Sequence, residues 1–103
     1  MELKKGDFIT FPGMTMTISG FVCKISDTEV SYIRDSLTRW VADRKMVERG
    51  EIITEQNFIS RVQDNARAST FPVPSEEQIK SVLNLFTENY DVDSSEVHKL
   101  LNV

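Results

Sequence analysis

The segment MTMTISGFVCKI, residues 14–25, has the most regular pattern in the first half of the chain. Apolar and polar side chains alternate without a break over residues 14–19, which is the period of a β-strand with one buried face. Gly20 interrupts this pattern, and a glycine inside a strand indicates a bulge or a sharp bend of the kind that small barrels use at corners. Beyond it the alternation resumes with three apolar residues, Phe21, Cys23 and Ile25. We therefore expect a long strand that bends at Gly20.

A first strand is predicted before this stretch, at GDFITF (residues 6–11). The pair Pro12-Gly13 closes it, because proline fixes φ at the second position of a type II turn and glycine accepts the positive φ of the third. After the long strand, the polar residues SDTE (26–29) form a turn, and VSYIR (30–34) forms a third strand. Short turns between consecutive strands predict antiparallel pairing.

The segment that follows a turn at Asp35 and Ser36 has two interpretations. A strand over residues 38–43 would point Trp40 to one face of the sheet and Val41 to the other. A helix would place four apolar residues on one side, namely Leu37, Trp40, Val41 and Val47. Because three strands with short turns precede this segment, we favour the strand.

The second half of the chain has the patterns of helices. Thr54 is a predicted N-cap, and Ile53 and Phe58 stand at the two positions of a hydrophobic staple around it. We expect a helix of EQNFISRVQDNARA, residues 55–68, to follow this cap. Two prolines in STFPVP, residues 69–74, then end the helical pattern, because proline forces extended backbone.

Ser75 and Gln78 form a predicted capping box, which begins the next helix. Five apolar residues form one stripe behind it: Ile79, Val82, Leu83, Phe86 and Tyr90. We expect this stripe to pack on the protein's own core. The alternative is a helix that leaves the core and docks on a partner protein or on a second copy of the chain. Asp93 with Glu96 predicts the start of a last short helix.

The first half of the chain also resembles a known family of small barrels. KKGDFITF, followed by a turn and by SGFVCKISDTEVSYI, is similar to the opening of SH3-like β-barrels of the KOW type, which begin with a Lys-Gly-Asp strand and continue with a Gly-x-Val hairpin. The similarity covers about residues 4–43, and the family's second glycine-rich turn has no counterpart before the third strand. The resemblance implies a barrel that binds nucleic acid or protein partners. It assigns a role to no individual residue, and fold alone does not decide function.

We therefore predict an α+β protein, with a small antiparallel SH3-like β-barrel followed by two or three C-terminal helices. Residues 1–53 form the barrel-like part and residues 54–68 a helix. Residues 69–74 form a proline-containing linker, and residues 75–103 form the C-terminal helical part. A chain of 103 residues with 40% hydrophobic and 27% charged residues is typical of one compact globular domain.

The net charge of −4 is unevenly distributed along the chain. Residues 1–50 carry eight Lys/Arg and seven Asp/Glu, whereas residues 51–103 carry four and nine. An acidic chain is repelled by nucleic acid and by anionic lipid, although a local basic face can override this repulsion. No apolar run approaches the ~18–20 residues of a membrane span, and no signal-peptide stretch follows the two lysines of MELKKGDF. We expect a cytoplasmic protein without a membrane contact.

The sequence contains few residues that could perform chemistry. Cys23 is the only cysteine, which excludes an internal disulfide and a cysteine-based metal site, and we expect its thiol to be buried. His98 is the only histidine and has no neighbouring ligand motif. DVDSSEVHKLLN (residues 91–102) departs from a calcium loop, because Glu96 replaces the glycine of the sixth position and Asn102 the bidentate glutamate of the twelfth. No phosphate-binding glycine motif is present either, so we expect neither a metal nor a cofactor nor catalysis.

One segment combines the only tryptophan with several basic residues, and it holds our candidate partner-binding residues. These are Arg34, Arg39, Trp40, Arg44, Lys45 and Arg49. Arginine beside tryptophan is typical of protein-interface hot spots, and it also occurs in proteins that bind single-stranded nucleic acid. Residues 34–49 carry five basic and three acidic side chains, so the alternative is a solvated mixed-charge surface with Trp40 packed inward.

The leading hypothesis for function is a non-catalytic protein-interaction or regulatory module, which occludes or bridges a partner protein through Trp40 and the neighbouring arginines. A nucleic-acid-binding barrel that uses the same face is the second hypothesis, and a small enzyme of unrecognised type is the third. A homodimer through the C-terminal helices is a further alternative. The small size and the lack of a catalytic signature would also suit a phage or accessory-element regulator.

Overall fold

The computed structural model describes residues 2–69 and 72–101 of the chain. Five strands and four helices follow one another along this part. The strands are β1 (Phe8–Pro12), β2 (Thr17–Ile25), β3 (Glu29–Arg34), β4 (Arg39–Asp43) and β5 (Glu51–Ile53). The helices are α1 (Arg44–Val47), α2 (Glu55–Ala68), α3 (Glu76–Glu88) and α4 (Ser94–Leu101). Among these residues, no helix is long and apolar enough to span a membrane.

The five strands form one antiparallel sheet in the order β4-β3-β2-β1-β5, and three helices follow it in sequence. The predicted α+β class is therefore confirmed. Strands β4 and β5 lie at opposite edges of the sheet, and within the described residues no ladder joins them. Hydrogen bonds thus do not close the sheet into a barrel. The short helix α1 contacts β1, β3 and β4.

A bulge at Gly20, one of the two features predicted there, was wrong. Gly20 stays in register with both neighbouring strands, and a Cβ there would lie 2.5 Å from Cδ2 of the Tyr32 ring, so the glycine makes room for a side chain. The bulge falls instead at Cys23, where β2 shifts its register against β3. One extra residue reverses the face to which later side chains point. Ile25 accordingly packs on the face opposite to that of Phe21 and Cys23.

The type II turn predicted at Pro12-Gly13 was also wrong. A type II turn needs a positive φ at its third residue. Within the described part of the chain, only Gly6 and Leu37 have one. The amide of Gly13 instead donates to the carbonyl of Met16 at 2.8 Å, so the connection between β1 and β2 spans residues 13–16.

The strand interpretation of the ambiguous segment is confirmed by β4. Four residues, Asp35-Ser36-Leu37-Thr38, separate β3 from β4, where a two-residue turn was predicted; we call this segment the β3–β4 loop. Leu37 has a φ of 60°, and its amide donates to the carbonyl of Arg34 at 2.8 Å. A left-handed backbone costs a non-glycine residue about 1–2 kcal/mol. Here it directs the Leu37 side chain into the core, where it is 6% exposed.

Two short elements, α1 and β5, were not predicted. Helix α1 begins where the Asp43 carboxylate accepts a hydrogen bond from the Lys45 amide at 2.8 Å. Strand β5 pairs with β1 because the backbone of Gly50 lies directly against that strand. A Cβ at Gly50 would collide with the carbonyl oxygen of Thr10, so only glycine fits this approach.

The helix starts predicted from capping residues are confirmed. Thr54 Oγ1 accepts the backbone N–H three residues further on, at 3.0 Å. Ser75 Oγ accepts from the Gln78 amide at 3.1 Å, and Gln78 Oε1 accepts from the Ser75 amide at 2.8 Å. Helix α4 follows Asp93, whose carboxylate accepts from the Ser95 amide at 3.0 Å. These caps explain why α2, α3 and α4 begin where they do.

The boundaries predicted for the parts of the chain include residues outside the described ranges. Residues 70 and 71 of the proline-containing linker 69–74 lie outside them, as do residues 102–103 of the C-terminal part and Met1. At the end of the linker, the side-chain amide of Gln63 donates to the carbonyl of Pro74 at 3.1 Å. This bond fastens the chain to α2 just before α3 begins.

Side chains on the two faces of the sheet form two separate clusters. The helix-side core lies between the sheet and the helices α2, α3 and α4. It contains four residues of the α3 stripe, each at most 4% exposed, and the fifth packs against it partly buried: Ile79, Val82, Leu83, Phe86 and then Tyr90. The opposite-side core lies on the other face and consists of Leu3, Ile9, Phe11, Val22, Val30, Tyr32 and Val47. The stripe thus serves the protein's own core, and a partner or a second copy could use it only if α3 left the sheet.

Candidate functional site

Arg39 and Trp40 are neighbours in β4 and therefore point to opposite faces of the sheet. Trp40 pairs with Tyr32, which belongs to the opposite-side core, and paired residues share one face. The Arg39 side chain instead reaches the connection between α3 and α4 on the helix side. The six predicted partner-binding residues consequently do not form a single surface.

Trp40 is exposed but held in a defined position. Its side chain is 46% exposed, and its indole N–H donates to Thr38 Oγ1 at 2.8 Å. The guanidinium carbon of Arg34 lies 5.1 Å from the centre of the indole, within the range of a cation–π contact. An Arg34 nitrogen also lies 3.0 Å from the sulfur of Met16, which is 59% exposed. We call Met16, Arg34 and Trp40 the Trp40 surface.

Arg39 is committed to contacts inside the protein. Its Nη1 donates to the carbonyls of Tyr90 at 3.0 Å and of Val92 at 3.2 Å. The Tyr90 hydroxyl donates in return to the carbonyl of Trp40 at 3.4 Å, and Lys24 Nζ lies 4.9 Å from the centre of the Tyr90 ring. We call these contacts the Arg39 clasp, because they fasten the α3–α4 connection to the edge strand β4. Arg39 therefore lies on the face of β4 opposite to that of Trp40, in contact with the protein's own backbone.

The remaining predicted residues lie on α1 and in the turn after it. Arg44 Nε pairs with Glu48 at 3.0 Å, and Arg44 Nη1 donates to the carbonyl of Ser26 at 2.9 Å. Lys45 and Arg49 make no side-chain hydrogen bond or ion pair within the described residues. Of the six, Arg34 and Trp40 contact one another. Arg39 takes part in the Arg39 clasp and Arg44 in a local ion pair.

A cavity of about 450 Å³ lies beneath the β3–β4 loop, and sequence reasoning did not find it. We call it the loop cavity. The described residues that line it come from the loop, α2, the linker and α4: Asp35, Ser36, Leu37, Val62, Asn65, Ala66, Ser69, Pro72, Pro74, His98 and Leu101. The prolines of the linker indicate extended backbone in this part of the chain, but they do not indicate a cavity. Their position against the loop depends on the tertiary fold.

Asp35 is the one acidic residue among the described residues that line the loop cavity. Burial raises the pKa of Asp35, while the guanidinium groups of Arg34 and Arg61 act to lower it. Arg34 Nε lies 3.8 Å from an Asp35 carboxylate oxygen, and the two side chains are 20% and 24% exposed. Both guanidinium groups favour the charged carboxylate, and the effect of burial on the pKa is larger.

The loop cavity and the Trp40 surface are joined through the β3–β4 loop. Ser36 lines the cavity, and its hydroxyl lies 2.7 Å from Thr38 Oγ1, the same oxygen that accepts from the Trp40 indole. Arg34 makes a second link, because it lies between Asp35 and the Trp40 ring. A change in the loop would therefore be transmitted to the environment of the indole.

The described residues offer little that resembles a reactive centre. They contain no group of three or more His, Cys, Asp or Glu side chains placed to hold a metal ion. The Cys23 thiol is buried at 3% exposure, and burial raises its pKa from 9.0 to about 11 although Lys5 and Lys24 act to lower it. Because the thiolate is the nucleophilic form, this cysteine is unreactive at neutral pH.

Comparison with known proteins assigns the chain to no family. No protein-family model, no curated protein and no solved structure matches the chain. The choice between candidate functions therefore depends on the geometry of the Trp40 surface and of the loop cavity.

Proposed function

We propose that the protein is a non-catalytic interaction module that binds a partner protein through the Trp40 surface. The observation that carries this proposal is an indole that is half exposed and yet held in place by Thr38 and Arg34. An anchor that is already ordered loses little conformational entropy when a partner covers it. Tryptophan and arginine are also the residues most enriched in interface hot spots.

The partner surface that fits is an apolar pocket with a carboxylate at its rim. Met16, which contacts Arg34, adds an exposed apolar side chain to this surface, and methionine side chains adapt to the shape of an apolar partner. The Arg34 guanidinium lies at the same place, with Asp35 as a neighbour at 3.8 Å. Arg34 belongs to a segment, residues 34–49, in which basic residues outnumber acidic ones although the whole chain is acidic. Complementary charge favours acidic groups on the partner.

The contacts of the basic side chains favour protein over nucleic acid as the partner. Arg39 donates to carbonyls inside the protein, and Arg44 is paired with Glu48. Binding to a phosphate backbone requires several positive groups that are free to neutralise it. Of the six predicted residues, Lys45 and Arg49 are uncommitted within the described part of the chain, and two free positive groups are few for this purpose.

Two finer assignments belong to this proposal. The first is an SH3-like arrangement of the strands, which is supported by the return of β5 to β1 and by α1, which contacts β1, β3 and β4 and so encloses the opposite-side core. An experimental structure would decide whether the edges β4 and β5 curl towards each other. The second is a cytoplasmic location, since a reducing compartment suits a free cysteine such as Cys23.

The test begins by identifying the partner with a photo-crosslinking amino acid at position 16, whose side chain is 59% exposed beside the indole. The purified partner is then titrated with the wild type and with Trp40→Ala. We expect the substitution to weaken binding by at least ~30-fold, because truncating an interface hot spot costs ~2 kcal/mol or more. Val41→Ala is the matched control. Val41 is 53% exposed in the same strand but points to the other face, and we expect less than about threefold weakening.

Two results would overturn the proposal. Equal losses from Trp40→Ala and Val41→Ala would show that the edge strand, and not the indole, makes the contact. Quenching of Trp40 emission by mixed oligonucleotides, with loss of the effect as salt is raised, would assign the surface to nucleic acid, because counterion release makes such binding strongly salt-dependent.

A further inference from the structure

The loop cavity has the dimensions and the lining of a small-molecule site. Ligand sites in proteins occupy ~300–1,000 Å³ and are mainly apolar, with a few polar groups that fix the orientation of the ligand. The loop cavity measures about 450 Å³. Its apolar lining comes from the β3–β4 loop, α2, the linker and α4, and consists of Leu37, Val62, Ala66, Pro72, Pro74 and Leu101.

The polar groups of the cavity determine which chemistry it accepts. Asp35, when ionised, can only accept hydrogen bonds, so a ligand must bring a donor to it. A cation would be repelled by Arg34, whose Nε lies 3.8 Å from this carboxylate. It would also be repelled by Arg61, whose charge acts on the same carboxylate. An anion would meet the carboxylate itself. An uncharged donor avoids both conflicts and still forms a charge-assisted hydrogen bond.

We propose that the loop cavity binds a small, uncharged and mainly apolar molecule that donates a hydrogen bond to the Asp35 carboxylate. The apolar lining accepts the body of the ligand, and its burial supplies the driving force. Asn65 and His98 stand at the same cavity and can bond a second polar group of the ligand. This site is separate from the partner contact proposed above, because Trp40 is not among the residues that line the cavity.

A ligand in the loop cavity would change the environment of the Trp40 indole through the β3–β4 loop. The hydroxyl of Ser36 at the cavity bonds with Thr38, and Thr38 accepts from the Trp40 indole. The indole N–H is the only one in the chain, so its NMR resonance is a single reporter of the loop.

The test uses four probes that share one ring. Benzamide is uncharged and has amide N–H donors, and N,N-dimethylbenzamide has the same ring and carbonyl without a donor. Benzylammonium and benzoate carry a positive and a negative charge. Isotope-labelled protein is titrated with each probe, and binding is followed at the Leu37 amide, the Asn65 side-chain amide and the Trp40 indole. We expect benzamide to shift all three resonances and to bind ~10-fold more tightly than N,N-dimethylbenzamide, which is the factor for one hydrogen bond to a charged group.

Three variants test whether benzamide binds in the loop cavity. Asp35→Asn keeps the shape of the side chain but removes its charge, and we expect it to weaken benzamide binding about tenfold. Ala66→Leu fills the cavity from α2 and should abolish binding without depending on the loop. Ala68→Leu adds the same volume to the same helix at an exposed position that does not line the cavity, and benzamide binding should be unchanged.

Several results would overturn the inference. Failure of every probe to shift the Leu37 and Asn65 resonances would mean that the cavity is not a ligand site of this kind. Tighter binding of benzylammonium or benzoate than of benzamide would refute the preference for an uncharged donor. Unchanged binding to Ala66→Leu would place benzamide elsewhere, and a silent Trp40 indole in a saturated protein would refute the connection through the loop.

Discussion

The two sides of strand β4 differ in what their exposed side chains do. Arg39 points to the helix side and gives its hydrogen bonds to carbonyls of the α3–α4 connection. Trp40 points to the other side, where its ring remains open to solvent beside Arg34 and Met16. Exposure alone therefore does not identify a contact surface. Arg39 and Trp40 are both exposed, but the Arg39 side chain already holds the α3–α4 connection to β4.

The same difference holds for the two faces of the whole sheet. The helix-side core joins the sheet to α2, α3 and α4, so its residues carry most of the tertiary packing. The opposite-side core is smaller, and α1 and the N-terminal Leu3 cover it. Substitutions on the helix side should therefore change stability, whereas those on the Trp40 surface should change binding.

The largest effect is expected from Phe58→Ala on the helix side. Phe58 is fully buried, and its ring lies 5.4 Å from that of Phe8, so truncation leaves a cavity where α2 meets the sheet. We expect the free energy of unfolding to fall by about 3–5 kcal/mol. Urea unfolding followed by circular dichroism measures this change. Gln56→Ala, at an exposed position of the same helix, is the control and should alter stability by less than ~0.5 kcal/mol. A loss below ~1 kcal/mol for Phe58→Ala would contradict the assignment of stability to this face.

A second effect of about 2–4 kcal/mol is expected at Leu37, where the β3–β4 loop meets the helix-side core. Leu37→Ala removes a buried side chain but retains the left-handed backbone, whereas Leu37→Gly removes the side chain and relieves the backbone as well. We expect the glycine variant to be more stable than the alanine variant by about 1 kcal/mol, which reverses the order found in helices. Urea unfolding of both variants tests this order. A more stable alanine variant would show that the loop does not hold φ at 60° in solution.

Local signals were sufficient to predict the helices but not the details of the sheet. Thr54 and Ser75 cap α2 and α3 as predicted, because capping bonds join residues three apart in the sequence. The bulge at Cys23 and the glycine at position 20 could not be assigned, because both depend on residues of the neighbouring strand β3. Strand β5 was missed for the same reason, since it is only three residues long and exists through its pairing with β1.

The candidate site was predictable only in part. Alternation along a strand already places Arg39 and Trp40 on opposite faces, so the sequence contained the signal that separates them. The hydrogen-bond acceptors of the Arg39 guanidinium could not be predicted, because the carbonyls of Tyr90 and Val92 lie more than fifty residues further along the chain. The loop cavity was beyond prediction too, since its walls come from four separate segments.

An effect of about 2 kcal/mol at alkaline pH is expected from Cys23, which lies in the helix-side core. Burial raises the pKa of this thiol from 9.0 to about 11. The unfolded chain therefore releases the thiol proton near pH 9, while the folded protein keeps it until about pH 11. Stability from the neutral thiol is complete below pH 9 and is lost as the pH rises towards 11.

Urea unfolding between these pH values measures the loss, and Cys23→Ala is the matched control. The variant retains Tyr32 and Tyr90, whose pKa values burial also raises, so the difference between the two proteins isolates the thiol. Equal slopes of stability against pH in both proteins would mean that Cys23 is open to water in solution, contrary to its place in the core.

The smallest effect, about 1 kcal/mol, is expected from Arg39→Met, which removes the Arg39 clasp and keeps much of the side-chain volume. Its two hydrogen bonds are charge-assisted but lie at an exposed position, where water replaces part of what is lost. Amide exchange should rise around Tyr90 and Val92, and partner binding by Trp40 should change less than about threefold, since Arg39 lies on the other face. Arg67→Met is the control, because Arg67 is 59% exposed and pairs only with Asp64 on its own helix, and such pairs contribute ~0.3–0.5 kcal/mol. If Arg39→Met left amide exchange unchanged but abolished partner binding, Arg39 would belong to the contact surface after all, and the division of β4 into a structural side and a binding side would be wrong.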